Sequence, residues 1–220
     1  MRVSSLLSLS SAGTGSVLVL ALSAGTVPVA AQAPEQESLS PDLQVKVAVQ
    51  ALPEAFRADA TVLGYPPGET ELVELREGSG PFICLAPTPG EDPLRSACYH
   101  RSLEPFMARG RELAAEGYSG QERIEKRNDE VEAGLVPMPS DPASLFQVAA
   151  PREGLDPDTG ELRDAEGLVV VYVPGATAES TGLPDRPVPG LPWLMDAGTP
   201  RAHIMFTPDM SLVPQPGGGG

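Results

Sequence analysis

The residue types that most often carry chemistry are scarce in this sequence. It has two cysteines, Cys84 and Cys98, and two histidines, His100 and His203. Cys84, Cys98 and His100 fall in one short stretch, ICLAPTPGEDPLRSACYH. Three kinds of chemistry fit these residues: a disulfide, a zinc site completed by His203, or a thiol and imidazole acting as nucleophile and base.

The segment between the two cysteines favours the disulfide. It is rich in proline and glycine, so we expect the chain to reverse there and to place Cys84 opposite Cys98 on adjacent strands. The zinc alternative lacks a C-x-x-C or H-x-x-x-H spacing, and the catalytic alternative needs a reduced thiol. We therefore predict a Cys84–Cys98 disulfide and keep a metal- or thiol-dependent, hydrolase-like enzyme using His203, His100 and the cysteines as the alternative.

His203 belongs to a predicted strand in which side chains alternate between two faces. Arg201, His203 and Met205 share one face of that strand. A histidine beside an arginine is suited to line a pocket, and the competing interpretation is a structural imidazole bonded to the backbone.

A long connection over 174–200 precedes that strand and contains the only tryptophan, Trp193. Long ordered loops are often functional, although a structural Ω-type loop anchored by an aromatic residue is the alternative. We predict ligand-binding residues in this region and no catalytic or metal-binding residue. The predicted ligand-binding residues are His203, Trp193, Arg201 and Ser180.

An acidic run, Asp156-Pro-Asp158-Thr-Gly160-Glu161, has some features of a calcium loop. It lacks the glycine placement and bidentate glutamate of an EF-hand. We interpret it as a turn with hydrogen bonds from an aspartate side chain to the backbone. No motif for a cofactor is present, so we expect none.

The elements that must position these residues are strands, then helices, then strands. The segments 58–65, 71–76 and 82–85 predict an antiparallel meander. An apolar stripe over 102–117 predicts a packed helix, and a mostly charged second helix is expected to start at Ser119 and to lie on the surface.

Three further strands are expected at 145–149, 168–173 and 202–206. The fold class is therefore α+β: an antiparallel sheet of about five to six strands with one packed helix and one surface helix.

The N-terminus reads as a secretory signal peptide over 1–33, with one arginine, a short apolar run and an A-x-A ending. We expect one domain over 34–213, a flexible tail over 214–220, and a secreted or periplasmic location. The net charge of −15 disfavours binding to nucleic acid, and no membrane span is expected after signal cleavage.

Two stretches resemble a family of uncharacterised exported bacterial proteins. They are ELREGSGPFICLAPTP followed by ACYH, and PWLMDAGTPRAHIMF. The resemblance implies export and a shared architecture, and it carries no activity. Function is expected to be non-catalytic binding of an unknown small molecule or protein near the Trp193–His203 region. The matching residues are Gly78, Phe82, Cys84, Leu85, Cys98, Gly198, Pro200, His203, Ile204 and Met205.

Overall fold

A computed structural model describes residues 38–206 of the chain. The predicted signal peptide over 1–33 and the predicted tail over 214–220 lie outside the described residues. In the described range, no helix has both the length and the apolar character needed to cross a membrane.

Eight strands and five α-helices make up the described part of the chain, with three short 3₁₀ segments between them. The strands are Thr61–Gly64 (β1), Val73–Arg76 (β2), Phe82–Leu85 (β3), Leu94–His100 (β4), Ala143–Ala150 (β5), Glu166–Tyr172 (β6), Trp193–Met195 (β7) and His203–Phe206 (β8). The helices are Pro41–Ala48 (α1), Glu54–Arg57 (α2), Glu104–Ala115 (α3), Gly120–Glu132 (α4) and Ala178–Thr181 (α5), and the 3₁₀ segments are Val49–Ala51, Arg101–Leu103 and Arg152–Gly154.

All eight strands form one sheet in the order β2-β1-β3-β4-β5-β6-β8-β7. The α+β class is confirmed. The expected size and pattern of the sheet are wrong, because it has eight strands and β1 runs parallel to β3. Two strands lie outside the six predicted segments: β4, which was implied only by placing Cys98 opposite Cys84, and β7, which is only three residues long and lies inside the connection over 174–200.

The meander predicted from the first three strands is also wrong, because β3 adds to the opposite side of β1 from β2. The link between β2 and β3 must cross the start of β1. A Cβ atom on Gly78 would lie 2.4 Å from backbone atoms of Asp59, Ala60 and Thr61, so the crossing requires glycine. Thr61 Oγ1 fixes it by donating to the Gly78 carbonyl and accepting from the Gly78 N–H.

The two faces of the sheet carry different helices. On one face, α1 and the 3₁₀ segment Val49–Ala51 pack on a core that includes both cysteines. The other face has a second core formed with α3 and α4. The buried members of this second core are Ile83, Tyr99, Leu103, Phe106, Val131, Val136, Ala143, Val170 and Tyr172.

Helix α3 follows its prediction closely. Pro105 lies in its first turn, where a missing N–H costs nothing. Phe106 and Leu113 are buried on the face that meets the sheet, as the apolar stripe indicates.

Helix α4 contributes more to the interior than a surface helix would. Val131 is buried, and Lys126 pairs with Glu130 on the same helix at 3.9 Å. One charged residue of this helix, Arg127, directs its side chain toward Phe106 on α3.

Candidate functional site

The structure brings Trp193 and His203 to one face of the sheet on neighbouring strands. In the register, His203 lies between Tyr172 on β6 and Met195 on β7. Because side chains alternate along a strand, Trp193 lies on this same face, one step further along. This is the face that α3 and α4 cover.

The His203 ring is held in one orientation. Its Nδ1 atom lies 2.7 Å from the Arg201 carbonyl oxygen. A carbonyl only accepts, so in the neutral tautomer Nδ1 carries the proton and Nε2 is an acceptor, which has no partner among residues 38–206. The ring centroid lies 5.1 Å from that of Tyr172. The Nδ1 atom of His203 therefore has the structural role of bonding the backbone, and the Nε2 atom is left to bind a ligand.

Arg201 is engaged within the chain. The residue is only 9% exposed. Its Nη1 lies 2.7 Å from Asp196 Oδ2, and its Nη2 lies 3.0 Å from Glu132 Oε1. Arg201 lies in the turn before β8, outside the strand predicted for it, and its two ion pairs join this turn to Asp196 and to α4. The guanidinium predicted to bind ligand thus has two carboxylate partners already.

Ser180 is part of a helix cap. Its hydroxyl accepts from the Thr177 N–H and donates to the Thr177 carbonyl, while the Thr177 hydroxyl accepts from the Ser180 N–H. This reciprocal pair is a capping arrangement that starts α5. The role shown for Ser180 is structural, and no contact joins it to His203.

The cysteines and His100 lie on the opposite face of the sheet from His203. Cys84 and Cys98 are direct partners in the register of β3 and β4 and form a disulfide, which confirms that prediction. His100 shares their face because it is two residues beyond Cys98, and its Nδ1 lies 2.8 Å from Ser102 Oγ. The residues proposed for the alternative enzyme are therefore divided between two faces.

The acidic run after Pro151 forms the turn expected from its sequence. Asp156 Oδ1 accepts from the N–H groups of Asp158 and Thr159, both at 2.9 Å. These bonds hold the pKa of Asp156 below its ordinary value. Within residues 38–206, no group of three or more histidine, cysteine or acidic side chains is arranged to hold a metal ion.

Arg127 is the functional candidate that sequence reasoning missed. It projects from α4 onto α3, where its guanidinium carbon lies 3.8 Å from the Phe106 ring centroid. Its Nη1 lies so close to Gly110 that a Cβ on this glycine would be 2.6 Å away. The half-buried side chain thus rests on an aromatic face in a space that a glycine leaves open.

No hydrogen bond or ion pair within the described range satisfies the Arg127 guanidinium. Its Nε atom is buried without a partner. Arg109 differs: it contacts Glu112, Glu116 and Glu130. The half-buried arginines Arg57 and Arg76 both donate to backbone carbonyls.

The surroundings of Arg127 favour an anion. Burial lowers the pKa of Arg127, Tyr172 opposes that change, and the charges of Arg123 and Arg201 add to it. Arg123 and Arg127 are four residues apart on α4, so two like charges share one side of the helix. Arg123 also has no carboxylate partner among residues 38–206.

Tyr172 connects Arg127 to His203. It is 8% exposed, and its hydroxyl has no hydrogen-bond partner within the described part of the chain. Burial raises the pKa of Tyr172, and Arg127 acts against that increase. Its ring lies 5.8 Å from Phe106 and 5.1 Å from His203, centroid to centroid. We call Arg127, Phe106, Tyr172 and His203 the Arg127–His203 site.

Two sequence signals point to this site in retrospect. Gly110 interrupts a segment that otherwise consists of good helix-forming residues, which indicates that another part of the chain packs closely against the helix there. The Arg123–Arg127 spacing puts like charges on one side of a helix in an acidic chain. Either signal alone is weak, because both depend on how α3 and α4 meet.

Comparison with models of known protein families, with the curated proteins and with the solved structures finds no match for this chain.

Proposed function

We propose that this chain is an exported, non-catalytic binding protein that takes a small organic anion at the Arg127–His203 site. The observation that carries the proposal is Arg127, a half-buried cation without a counter-charge in the described structure. Removing a charge from water costs several kcal/mol unless it is paired. The chain has 30 acidic residues, and a bound anion would supply the partner that they do not.

The stacking of Arg127 on Phe106 supports the same function. The guanidinium carbon lies 3.8 Å from the ring centroid, and a guanidinium held over an aromatic ring retains N–H donors for a further partner. Those donors match the two oxygens of a carboxylate in a bidentate pair. The unpartnered hydroxyl of Tyr172 offers a further hydrogen bond in the same region.

Export is supported by the disulfide, which is compatible with an extracellular location. The resemblance to uncharacterised exported bacterial proteins supports it as well. The alternative of a metal- or thiol-dependent enzyme has no comparable observation in its favour, because the disulfide uses both thiols and the two histidines lie on opposite faces.

Replacing Arg127 tests the proposal. Isothermal titration with acetate, benzoate, 3-phenylpropanoate and inorganic phosphate should show saturable binding of at least one anion to the native protein. We expect R127M to weaken that binding by about 10- to 100-fold, the value of a hydrogen-bonded charge pair. The matched control is R95M, because Arg95 is an exposed arginine that pairs with Glu91, and its affinity should equal that of the native protein.

A second variant perturbs the site without removing a charge. In G110A the new Cβ would force the Arg127 Nη1 atom away, while alanine favours the α3 helix by up to about 1 kcal/mol. Weaker binding with undiminished thermal stability would support the proposal. Absence of binding by all four anions, or equal affinity in R127M and R95M, would refute it.

A further inference from the structure

We infer that the ligand of the Arg127–His203 site is an organic monocarboxylate whose apolar body carries a hydrogen-bond donor. This inference rests on the proposed function and specifies the chemical class of its ligand. It follows from the donors and acceptors that the site leaves free, from its apolar neighbours and from its charge.

The two ends of the site require opposite hydrogen-bonding groups. Arg127 only donates, so it needs an acceptor such as a carboxylate. His203 presents a free acceptor at Nε2, because its Nδ1 proton is directed to the Arg201 carbonyl. A ligand that satisfies both ends therefore has an anionic acceptor at one end and a hydroxyl or amino donor elsewhere.

Apolar side chains surround the His203 end. Met195 and Met205 lie on its face of the sheet, and Trp193 is the cross-strand partner of Met205. Methionine and tryptophan side chains provide an adaptable apolar surface with one indole N–H. This surface favours a ligand with a hydrocarbon or aromatic body over a small inorganic ion.

Charge favours a single carboxylate. The guanidinium of Arg201 already has two acidic partners, so Arg127 is the cation left inside the site, and Arg123 lies half-exposed beside it. The field of a chain with a net charge of −15 opposes the approach of multiply charged anions. A ligand with one negative charge is repelled less by this field than a ligand with two or more.

Matched probes test the inference. The parent probe is 3-phenylpropanoate; 3-phenyllactate and 3-(4-hydroxyphenyl)propanoate each add one hydroxyl, near the carboxylate and far from it. We expect at least one hydroxylated probe to bind about fivefold tighter than the parent, as a neutral hydrogen bond contributes. In H203F, which keeps a ring against Tyr172, that ratio should fall to about one.

A measurement on the unaltered protein complements the variant. The ¹⁵N resonance of His203 Nε2 should shift with the tighter hydroxylated probe and stay in place with 3-phenylpropanoate. Binding of the parent with no gain from either hydroxyl, or a gain that survives in H203F, would overturn the inference and leave the proposed function standing. If none of the three probes binds the native protein, both the inference and the proposed function are overturned.

Discussion

Individual residues show how this acidic chain satisfies its buried polar groups. Tyr99 is fully buried, and its hydroxyl donates to Glu104 at 2.5 Å and accepts from Arg111 at 2.9 Å. Two buried atoms in the described range depart from this pattern, since neither Ser96 Oγ nor Arg127 Nε has a partner there, and of the two only Arg127 carries a charge. Against that background, the unsatisfied arginine is the strongest indication of a ligand.

The tyrosines predict how stability changes with pH. Burial, aided by the bond to Glu104, raises the pKa of Tyr99, and burial raises the pKa of Tyr172. As pH rises through about 10, the unfolded chain loses these protons first, so the native state loses stability. Urea denaturation between about pH 8 and about pH 10.5 should show that decline.

Y99F is the variant that checks this explanation. It should cost about 1 kcal/mol at neutral pH, because Glu104 and Arg111 lose a buried partner. The free energy of unfolding of Y99F should also decline less steeply at alkaline pH than that of the native protein. An identical alkaline decline in Y99F would contradict the role given to Tyr99.

The residues of the site were only partly predictable. His203 and Trp193 were found because a strand pattern and a lone tryptophan are local signals. The pairing of Arg201 with Glu132 was not predictable, since Glu132 is far away in sequence and reaches Arg201 only when α4 packs against the sheet. Arg127 was missed for the same reason.

Among the elements, the link between β2 and β3 determines the order of the sheet. It crosses the start of β1 at Gly78 and Gly80, and the Gly80 N–H donates to the Asp59 carbonyl at 2.7 Å. Arg101 stabilises the crossing by donating to Thr61 Oγ1 and to the carbonyls of both glycines. Each strand of this region was predictable from its own pattern, but the parallel pairing was not, because it depends on this tertiary crossing.

G78A should disrupt that crossing. Its Cβ would meet backbone atoms that cannot move aside as a side chain could, so we expect a loss of about 3 kcal/mol in the free energy of unfolding. The control is G68A, where nothing lies within 4 Å and only the left-handed backbone of Gly68 is strained, at about 1 kcal/mol. Equal losses in the two variants by urea denaturation would contradict the crossing as the cause.

At the scale of the whole molecule, the sheet separates two regions. One face holds the disulfide and α1, which stabilise the fold, and the other holds the Arg127–His203 site beneath α3 and α4. A net charge of −15 surrounds this locally cationic site. Binding there should depend on Arg127 far more than on any exposed arginine, because Arg127 is half-buried and has no carboxylate partner in the described range.

The most direct measurement follows the Nε–Hε resonances of the arginines by NMR during titration with 3-phenylpropanoate. We predict that the Arg127 signal shifts saturably and that its proton exchanges more slowly with water, while the signal of Arg109, which already has three glutamate partners, stays in place. An unchanged Arg127 signal at saturating ligand, or equal shifts for Arg127 and Arg109, would contradict the claim that Arg127 is the anion-binding residue.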